Sequence, residues 1–391
     1  MKAGILSASL AVLLLLWSST STAATIIITV AGNGEEGFSG DDGPATEARL
    51  HGPMGIAVDD SGNIFIADSQ NHRIRRVDAK TRIMTTIAGN GKAGFSGDGG
   101  KAIEASLNEP NSVAVDTSGN VFIADLCNHR VRKVDGKTGI ITTVIGDGFG
   151  TLQKGRFAGD GALATSASLF FPMDVAFDNK GNLVVADVRN HRIRMVDKAT
   201  SIIQTIAGNG NGEYGNDGSN ALDASFQFPA GIFYDTAGNM FIADTQNHRI
   251  RKIDVDTGIV RTVAGNGHPC LPDPEPTAMG WQFTAAKFSE DGIAATDSTI
   301  PEPTAVAVDK AGILYFTDQA HGGRIRKVGP DGKISTIAGG GKDDGEGVNP
   351  TAALIRYASD IVIDSKGNIY IVETGRSRVR VIRPDVEKGD F

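Results

Sequence analysis

The chain has 391 residues and a formal net charge of −8, and an acidic surface of this kind disfavours nucleic acid as a partner because it repels phosphate backbones. Only two cysteines are present, Cys127 and Cys270, so a disulfide-rich scaffold is excluded and the core must come from apolar packing. The 50 glycines recur at fixed places in a repeated pattern, which indicates turns rather than a low-complexity chain.

Residues 1–24 are predicted to form a secretory signal peptide. Lys2 precedes an uncharged apolar run from Ala3 to Trp17, and small residues follow up to Ala24. A membrane-spanning helix would need about 20 apolar residues, more than this run provides. We therefore expect no membrane span, and we expect an exported mature chain, secreted or periplasmic, that begins near residue 25.

The first repeat after this segment reads as four short strands joined by tight turns. Apolar or alternating runs occupy residues 55–58, 64–67, 73–77 and 83–88, and Asp, Asn and Gly separate them. This pattern predicts a four-stranded antiparallel meander. The first two runs are continuously apolar, which is typical of strands buried on both faces, whereas the last two alternate with Arg or Thr.

The same unit recurs six times along the chain. Successive spacings of 57, 62, 57, 74 and 55 residues separate its anchoring aspartates, Asp59, Asp116, Asp178, Asp235, Asp309 and Asp364. A regular period of this length indicates one supersecondary unit copied around a ring. With apolar inner strands and polar outer strands, the pattern predicts an all-β, six-bladed β-propeller.

The two ends of the chain predict how the ring closes. The sixth copy has apolar runs at 361–363, 369–372 and 379–382 but no fourth run, while residues 25–34 (TIIITVAGNG) match the fourth runs at 85–91, 204–210 and 261–267. We therefore expect the N-terminal strand to complete the last blade, which removes an exposed sheet edge. The propeller domain is thus predicted to span residues 25–391.

Several polar residues recur in most copies, and recurrence favours a structural role. The turn histidines would lie in separate blades, so no two could share a metal ion: His72, His129, His191 and His248. The aspartates before that turn are expected to accept backbone N–H groups: Asp68, Asp125, Asp187, Asp244 and Asp318. The linker acids are expected to cap short helices, with calcium binding as the alternative: Asp41, Asp98, Asp160, Asp217, Asp291 and Asp344.

Departures from the repeat are more informative about function. Where each linker enters the innermost strand, Asn111, Asp174 and Asp360 are polar exceptions at the predicted mouth of the central channel. They are candidate ligand-binding residues, and Asp174 and Asp360 are weak candidates for a divalent cation such as calcium. Solvated rim residues are the alternative interpretation.

The linker between the fourth and fifth copies carries an insert. Residues 268–276 (HPCLPDPEP) are rich in proline, and Trp281 follows them. An apolar insert on the linker face would serve as a lid or a partner-binding element, with decorative insertion as the alternative. It would also have to cross the channel mouth for Cys270 to form a disulfide with Cys127.

The repeated NHRIR motif at 71–75, 190–194 and 247–251, with NHRVR at 128–132, resembles the NHL-repeat propellers. The linker at 88–110 is similar to those of the secreted bacterial branch and of the teneurin NHL domain. The family includes scaffolds, ligand-binding ectodomains, RNA-binding modules and a few lyases. Secreted propellers of the gluconolactonase type place metal-binding acids and an Asn at positions comparable to Asn111, Asp174 and Asp360.

Three functional hypotheses follow, and the third is a module that acts only with a fused partner, as in receptor ectodomains. The chain lacks a nucleophile elbow, a phosphate loop, a CxxC motif and an HExxH motif, which favours a monomeric binding or scaffold module for a protein, a small molecule or a carbohydrate. The alternative is a metal-dependent lyase or lactonase with its site at the channel mouth.

Overall fold

The computed structural model describes residues 24–151, 153–215, 217–268, 289–319 and 323–385. Within these ranges the chain forms six separate antiparallel sheets in sequence order, one per repeat. The predicted all-β, six-bladed propeller is confirmed. We number the blades 1 to 6 from the first complete repeat and call their strands inner, second, third and outer.

Each blade follows the four-strand meander that the sequence predicts. The inner strands are Pro53–Val58, Pro110–Val115, Pro172–Phe177, Pro229–Tyr234, Val306–Val308 and Ala358–Ile363. The second strands are Ile64–Asp68, Val121–Asp125, Leu183–Asp187, Met240–Asp244, Leu314–Asp318 and Ile369–Glu373. The third strands are Arg73–Val77, Arg130–Val134, Arg192–Val196, Arg249–Ile253, Arg324–Val328 and Arg378–Pro384. The outer strands are Ile83–Ala88, Ile141–Ile145, Ile203–Ala207, Val260–Ala264, Ile334–Gly339 and, in blade 6, Thr25–Ala31.

Short 3₁₀ helices lie at the ends of the strands on one side of the ring. One set forms the turn between the second and third strands: Ser69–Asn71, Leu126–Asn128, Val188–Asn190, Thr245–Asn247 and Thr374–Arg376. The other set lies in the linkers between blades: Ala45–Glu47, Ala102–Glu104, Ala164–Ser166, Ala295–Asp297 and Pro350–Ala352. The two-residue strand Gly43–Pro44 extends the sheet of blade 1. We call this side the linker face.

The N-terminal strand completes blade 6, as predicted. Thr25–Ala31 pairs antiparallel with Arg378–Pro384, and Ile27 lies opposite Ile382. Ile27 is fully buried. The pairing gives the third strand of blade 6 a partner for backbone groups that would otherwise form a free edge.

The apolar core is divided among the blade interfaces. Buried side chains form six clusters, and each cluster joins two neighbouring blades. One of them brings Val372 and Val379 of blade 6 against Ile56 and Ile66 of blade 1, so the packing runs around the whole ring. The second strands are buried along their entire length, which explains their unbroken apolar sequence.

Candidate functional site

A central cavity of about 270 Å³ lies where the inner strands of the six blades converge. Each inner strand has a hydrogen-bonded neighbour on one side only, so its other edge faces the ring axis. The sequence-predicted residues Asn111, Asp174 and Asp360 all line this cavity. Backbone groups on the free edges need partners, and the side chains at the strand entrances supply some of them.

Asp174 bridges three blades. Its Oδ1 accepts the hydroxyl of Ser112 at 2.6 Å and the N–H of Val175 at 2.8 Å, and its Oδ2 accepts the N–H of Ile232 at 2.7 Å. Ser112 belongs to blade 2 and Ile232 to blade 4. The carboxylate therefore joins the inner strands of both neighbouring blades to its own.

Asp360 has the corresponding position in blade 6, on the opposite side of the ring. Its Oδ2 accepts the N–H of Ile56 in blade 1 at 2.8 Å, and its Oδ1 accepts the N–H of Ile361 at 2.7 Å. Gly55 and Gly231 precede the two donors, Ile56 and Ile232.

Both glycines are needed because the next blade approaches closely. A Cβ on Gly55 would lie 2.5 Å from the Asn111 carbonyl oxygen, and one on Gly231 would lie 2.5 Å from that of Thr304. Blades 1–3 and blades 4–6 thus repeat one arrangement, a glycine in the first blade of each half and an aspartate in the third.

The lining of the cavity is acidic. Among the described residues, it contains Asp174 and Asp360 but no Lys, Arg or His. Burial raises the pKa of Asp174 to about 6, and the bonds from Ser112, Ile232 and Val175 only partly offset it. Burial, with the charge of Asp174 as the second cause, raises the pKa of Asp360 well above its ordinary value. The two carboxylates therefore oppose each other's ionisation, which a cation between them would favour.

The site offers some of the ligands that a cation requires. A carboxylate has about four acceptor positions, of which Asp174 uses three and Asp360 two in the bonds described above. The amide nitrogen of Asn111 donates to the Met173 carbonyl at 2.7 Å. No group of three or more His, Cys, Asp or Glu side chains suited to a metal ion occurs among the described residues. The oxygen donors fit a hard cation only in combination with hydroxyl, carbonyl or water oxygens.

Sequence reasoning did not single out several residues of this cavity, among them Ser112 and Tyr357. Ser112 binds Asp174 directly, and Tyr357 lines the cavity from the linker side. Ser112 follows the polar exception Asn111, and Tyr357 precedes the first residue of an inner strand. For both residues, the position in the repeat was the signal that the sequence offered. Trp281, the fourth predicted site residue, lies outside the described residues.

The linker acids do not cap helices, so that prediction is wrong. Among the five linker helices that the structure describes, only Asn349 caps its helix with its side chain, and residues such as Pro44 and Lys101 make no such cap. In blades 1–5 the linker acid and the turn acid instead hold one fully buried arginine between them. The sets are Arg75 with Asp68 and Asp41, Arg132 with Asp125 and Asp98, Arg194 with Asp187 and Asp160, Arg251 with Asp244 and Asp217, and Arg326 with Asp318 and Asp291.

Blade 6 uses a variant of this arrangement. Glu373 and Asp344 both bind Arg378, and Asp344 also binds Arg376. These contacts occupy the linker carboxylates, which leaves them poorly suited to the calcium binding considered as an alternative.

The turn aspartates accept backbone N–H groups, as predicted, but from the linker rather than from their own turn. Asp187 Oδ1 accepts the N–H of Phe170 at 2.7 Å, seventeen residues earlier in the chain. In blade 5 the residue at this distance before Asp318 is Pro301, which has no N–H. Asp318 Oδ1 accordingly has no partner among the described residues, and burial raises the pKa of Asp318 to about 7.

The turn histidines have structural contacts as well. Each ends its 3₁₀ turn in a left-handed conformation and donates its backbone N–H to the carbonyl of the first residue of the turn.

Cys127 donates its thiol to Glu109 Oε2 at 3.4 Å, and Cys270 lies outside the described residues, so the pairing of the two cysteines stays a prediction. No helix in the described part of the chain is long and apolar enough to cross a membrane.

Comparison with known families supports the repeat assignment. The model of the teneurin NHL domain matches residues 28–95 and 90–156, and the model of the NHL repeat matches residues 171–194. The chain is 28% identical over 343 residues to protein SUPPRESSOR OF QUENCHING 1 of Arabidopsis thaliana, covering 86% of this chain and 30% of that protein. It is 26% identical over 350 residues to Teneurin-3 of Danio rerio, covering 83% of this chain and 10% of that protein. The chain thus spans less than a third of either relative.

A solved structure shares the fold. The auxiliary nutrient binding protein of Bacteroides thetaiotaomicron superimposes with a TM-score of 0.62 at 16% identity, covering 92% of this chain and 76% of that one. At this identity the likeness concerns the fold alone. The matched repeats, their regular spacing and the closed ring together identify the chain as a six-bladed NHL-repeat β-propeller related to the teneurin NHL domain.

Proposed function

We propose that this protein is an exported binding module that takes a small, positively charged ligand into its central cavity through the linker face. The observation that carries the proposal is the pair of buried carboxylates, Asp174 and Asp360, in a cavity with no basic side chain among the lining residues that the structure describes. A cation placed between them would relieve their mutual repulsion. It would also compensate for the hydration that the two carboxylates lose on burial. Export is supported by the composition of residues 1–24.

Two kinds of ligand share this chemistry. A divalent cation such as calcium would be held by carboxylate, hydroxyl and carbonyl oxygens. An organic ammonium group would donate hydrogen bonds to the same oxygens, and Tyr357 would contribute an aromatic surface beside it. The structural neighbour described as a nutrient binding protein has the same ring, which is compatible with a binding role.

The test is calorimetric titration of the purified protein at pH 7.5 with calcium chloride, with 1,4-diaminobutane and, as a neutral control, with glucose. We expect one of the two cations to bind and to raise the melting temperature with concentration, and glucose to have no effect. The double variant Asp174→Asn, Asp360→Asn should lose the response while still folding, because the amides preserve the shape of both side chains. The matched control Asp60→Asn, Asp256→Asn removes two exposed acids and should retain it.

The outcome distinguishes a metal ion from an organic cation as the ligand, and it also tests the proposal itself. Binding of calcium alone indicates a metal site, and binding of the diamine alone indicates an organic cation. If neither cation binds, or if the Asp174/Asp360 double variant responds as the parent does, the carboxylate pair is not the binding site.

Cation binding should depend on pH in a defined direction. The carboxylates must be ionised to hold a cation, and the pKa of Asp174 is raised to about 6. Affinity should therefore fall as the pH drops through about 6, and the raised pKa of Asp360 makes the loss begin at a higher pH. Titrations at pH 7.5, 6.5 and 5.5 check this, and an affinity that is constant over the range would contradict ionised Asp174 as a ligand.

A metal-dependent lyase or lactonase is the second candidate. The observation in its favour is that Asn111, Asp174 and Asp360 share one cavity and that both carboxylates retain acceptor positions. If calcium binds, hydrolysis of a simple lactone in the presence of calcium, abolished in the double variant, would support this candidate. A calcium-bound protein without turnover would favour binding only.

A further inference from the structure

Four hydrogen bonds connect the turn of one blade to the entrance of the next inner strand. In each, the Nδ1 atom of a turn histidine accepts a backbone N–H from the following blade: His72 from Glu109 (3.2 Å), His129 from Phe171 (3.3 Å), His191 from Phe228 (3.4 Å) and His248 from Glu302 (3.3 Å). We call these the interblade histidine bonds. Each donor directly precedes the proline at the start of an inner-strand segment and lies two residues before the first residue of that segment that lines the cavity.

The donor residues are held in an unfavourable backbone conformation. Glu109, Phe171, Phe228 and Glu302 have φ of 50°, 57°, 54° and 41°, in the left-handed region. A non-glycine residue in this region carries a steric penalty and persists only where its surroundings hold it. The interblade histidine bond is one contact that does so.

The junction between blades 6 and 1 provides an internal control. There Ser377 replaces the histidine, and the residue at the strand entrance is Gly52, with φ of 53°. Glycine adopts this conformation without a steric penalty, so no histidine is required to maintain it. The histidine is thus present at four junctions with a strained entrance residue and absent where that residue is glycine, whereas at the junction between blades 5 and 6 Gly323 occupies the histidine position and Tyr357 keeps a φ of 53° without it.

These bonds exist only while the imidazole is neutral. A backbone N–H can be accepted only by an Nδ1 atom without a proton, so the ring proton must be on Nε2. Protonation of Nδ1 would turn the acceptor into a donor and bring two N–H groups together. We propose that protonation of the four turn histidines releases the strand entrances of blades 2–5 and thereby opens the mouth of the cavity, so that acidification loosens the site.

The charged groups around each ring set how readily it is protonated. Burial, the largest cause, lowers the pKa of all four histidines. The adjacent arginines Arg73, Arg130, Arg192 and Arg249 lower it further. Glu109 opposes this at His72, Glu302 at His248, and the Thr151 backbone with Asp147 at His129. At His191 the charge of Arg192 adds to the effect of burial, and no acid opposes the lowering of the pKa.

The expected effect on stability has a definite sign. A histidine whose pKa is lower in the folded state than its ordinary 6.5 contributes stability that is complete above pH 6.5 and is lost as the pH falls toward the folded-state pKa. Acidification therefore weakens these four junctions, whereas the buried acids with raised pKa values, such as Asp174, respond in the opposite direction. Global melting would mix the two effects, so a local measurement is needed.

The test is amide hydrogen exchange of the ligand-free protein at pH 7.5 and pH 5, corrected for the intrinsic pH dependence, together with ¹⁵N spectra of the histidine rings. We expect the Nε2–H tautomer at pH 7.5 and, at pH 5, about a tenfold loss of protection at the amides of Glu109, Phe171, Phe228 and Glu302. The amide of Ile123, in the core of a second strand, should not change. In His191→Gln, the pH dependence should vanish at Phe228 and persist at the other three.

A proton on Nδ1 at pH 7.5, or titration of the histidines without any change at the four amides, would overturn the proposal. Its bearing on ligand entry depends on the proposed function, but the exchange measurement uses no ligand. Failure of cation binding and failure of the histidine mechanism are therefore separate results.

Discussion

Deletion of residues 25–30 should destabilise the protein by about 5 kcal/mol or more and cause aggregation, because it removes the outer strand of blade 6. Ile27 is fully buried between blades 5 and 6, and the strand pairs with Arg378–Pro384 along most of its length. Without it, the backbone groups of the third strand lose their partners and become a template for other chains. Urea unfolding and light scattering measure the two effects.

Two point variants separate loss of closure from loss of chain length. Ile27→Ala keeps the strand but empties a buried position and should cost about 2–5 kcal/mol. Thr25→Ser, at an exposed position of the same strand, should behave like the parent. A truncated protein that unfolds at the same urea concentration as the intact chain would show that the N-terminal strand does not close the ring.

Asp187→Ala should lower the free energy of unfolding by about 3–5 kcal/mol, as expected when one partner of a buried ion pair is removed. Asp187 and Arg194 are both fully buried, and Asp187 also accepts the N–H of Phe170 and the side-chain amide of Asn190. All three donors lose this acceptor in the variant, while Arg194 keeps Asp160 and Asn190 keeps the carbonyl of Arg156. Chemical denaturation measures the change, and cation binding at the cavity should persist because Asp187 is not part of its lining.

Asp160→Ala is the matched control, since Asp160 binds the same arginine from the linker. Its side chain is 36% exposed, so solvent screens the pair and replaces part of what is lost. We expect a cost of about 1 kcal/mol or less. Equal losses in the two variants would mean that burial does not determine the contribution of these acids.

The sequence allowed the fold to be predicted because each repeat encodes its own blade. The strand boundaries in blade 1 differ by at most two residues from those read from the apolar runs, and the orphan strand at 25–31 was recognised from its similarity to other outer strands. The candidate site was located through its departures from the repeat, at Asn111, Asp174 and Asp360.

Other features depended on contacts that a local pattern does not contain. Asp98 lies in a linker shortly before a short helix, as a capping residue would. Its partner Arg132 lies 34 residues later, on the third strand of blade 2. Likewise, nothing near His72 in sequence indicates that its ring accepts the N–H of Glu109 in the next blade. Side chains that connect blades therefore require the assembled ring before their roles can be assigned.

Closure of the ring has a consequence for how the molecule fluctuates. In a linear array of repeats, terminal units have one neighbour and fray first, whereas in a closed array every unit has two. Because the six apolar clusters form an unbroken cycle, opening any blade means breaking two interfaces at once. Slowly exchanging core amides should thus report one common unfolding free energy all the way around the ring.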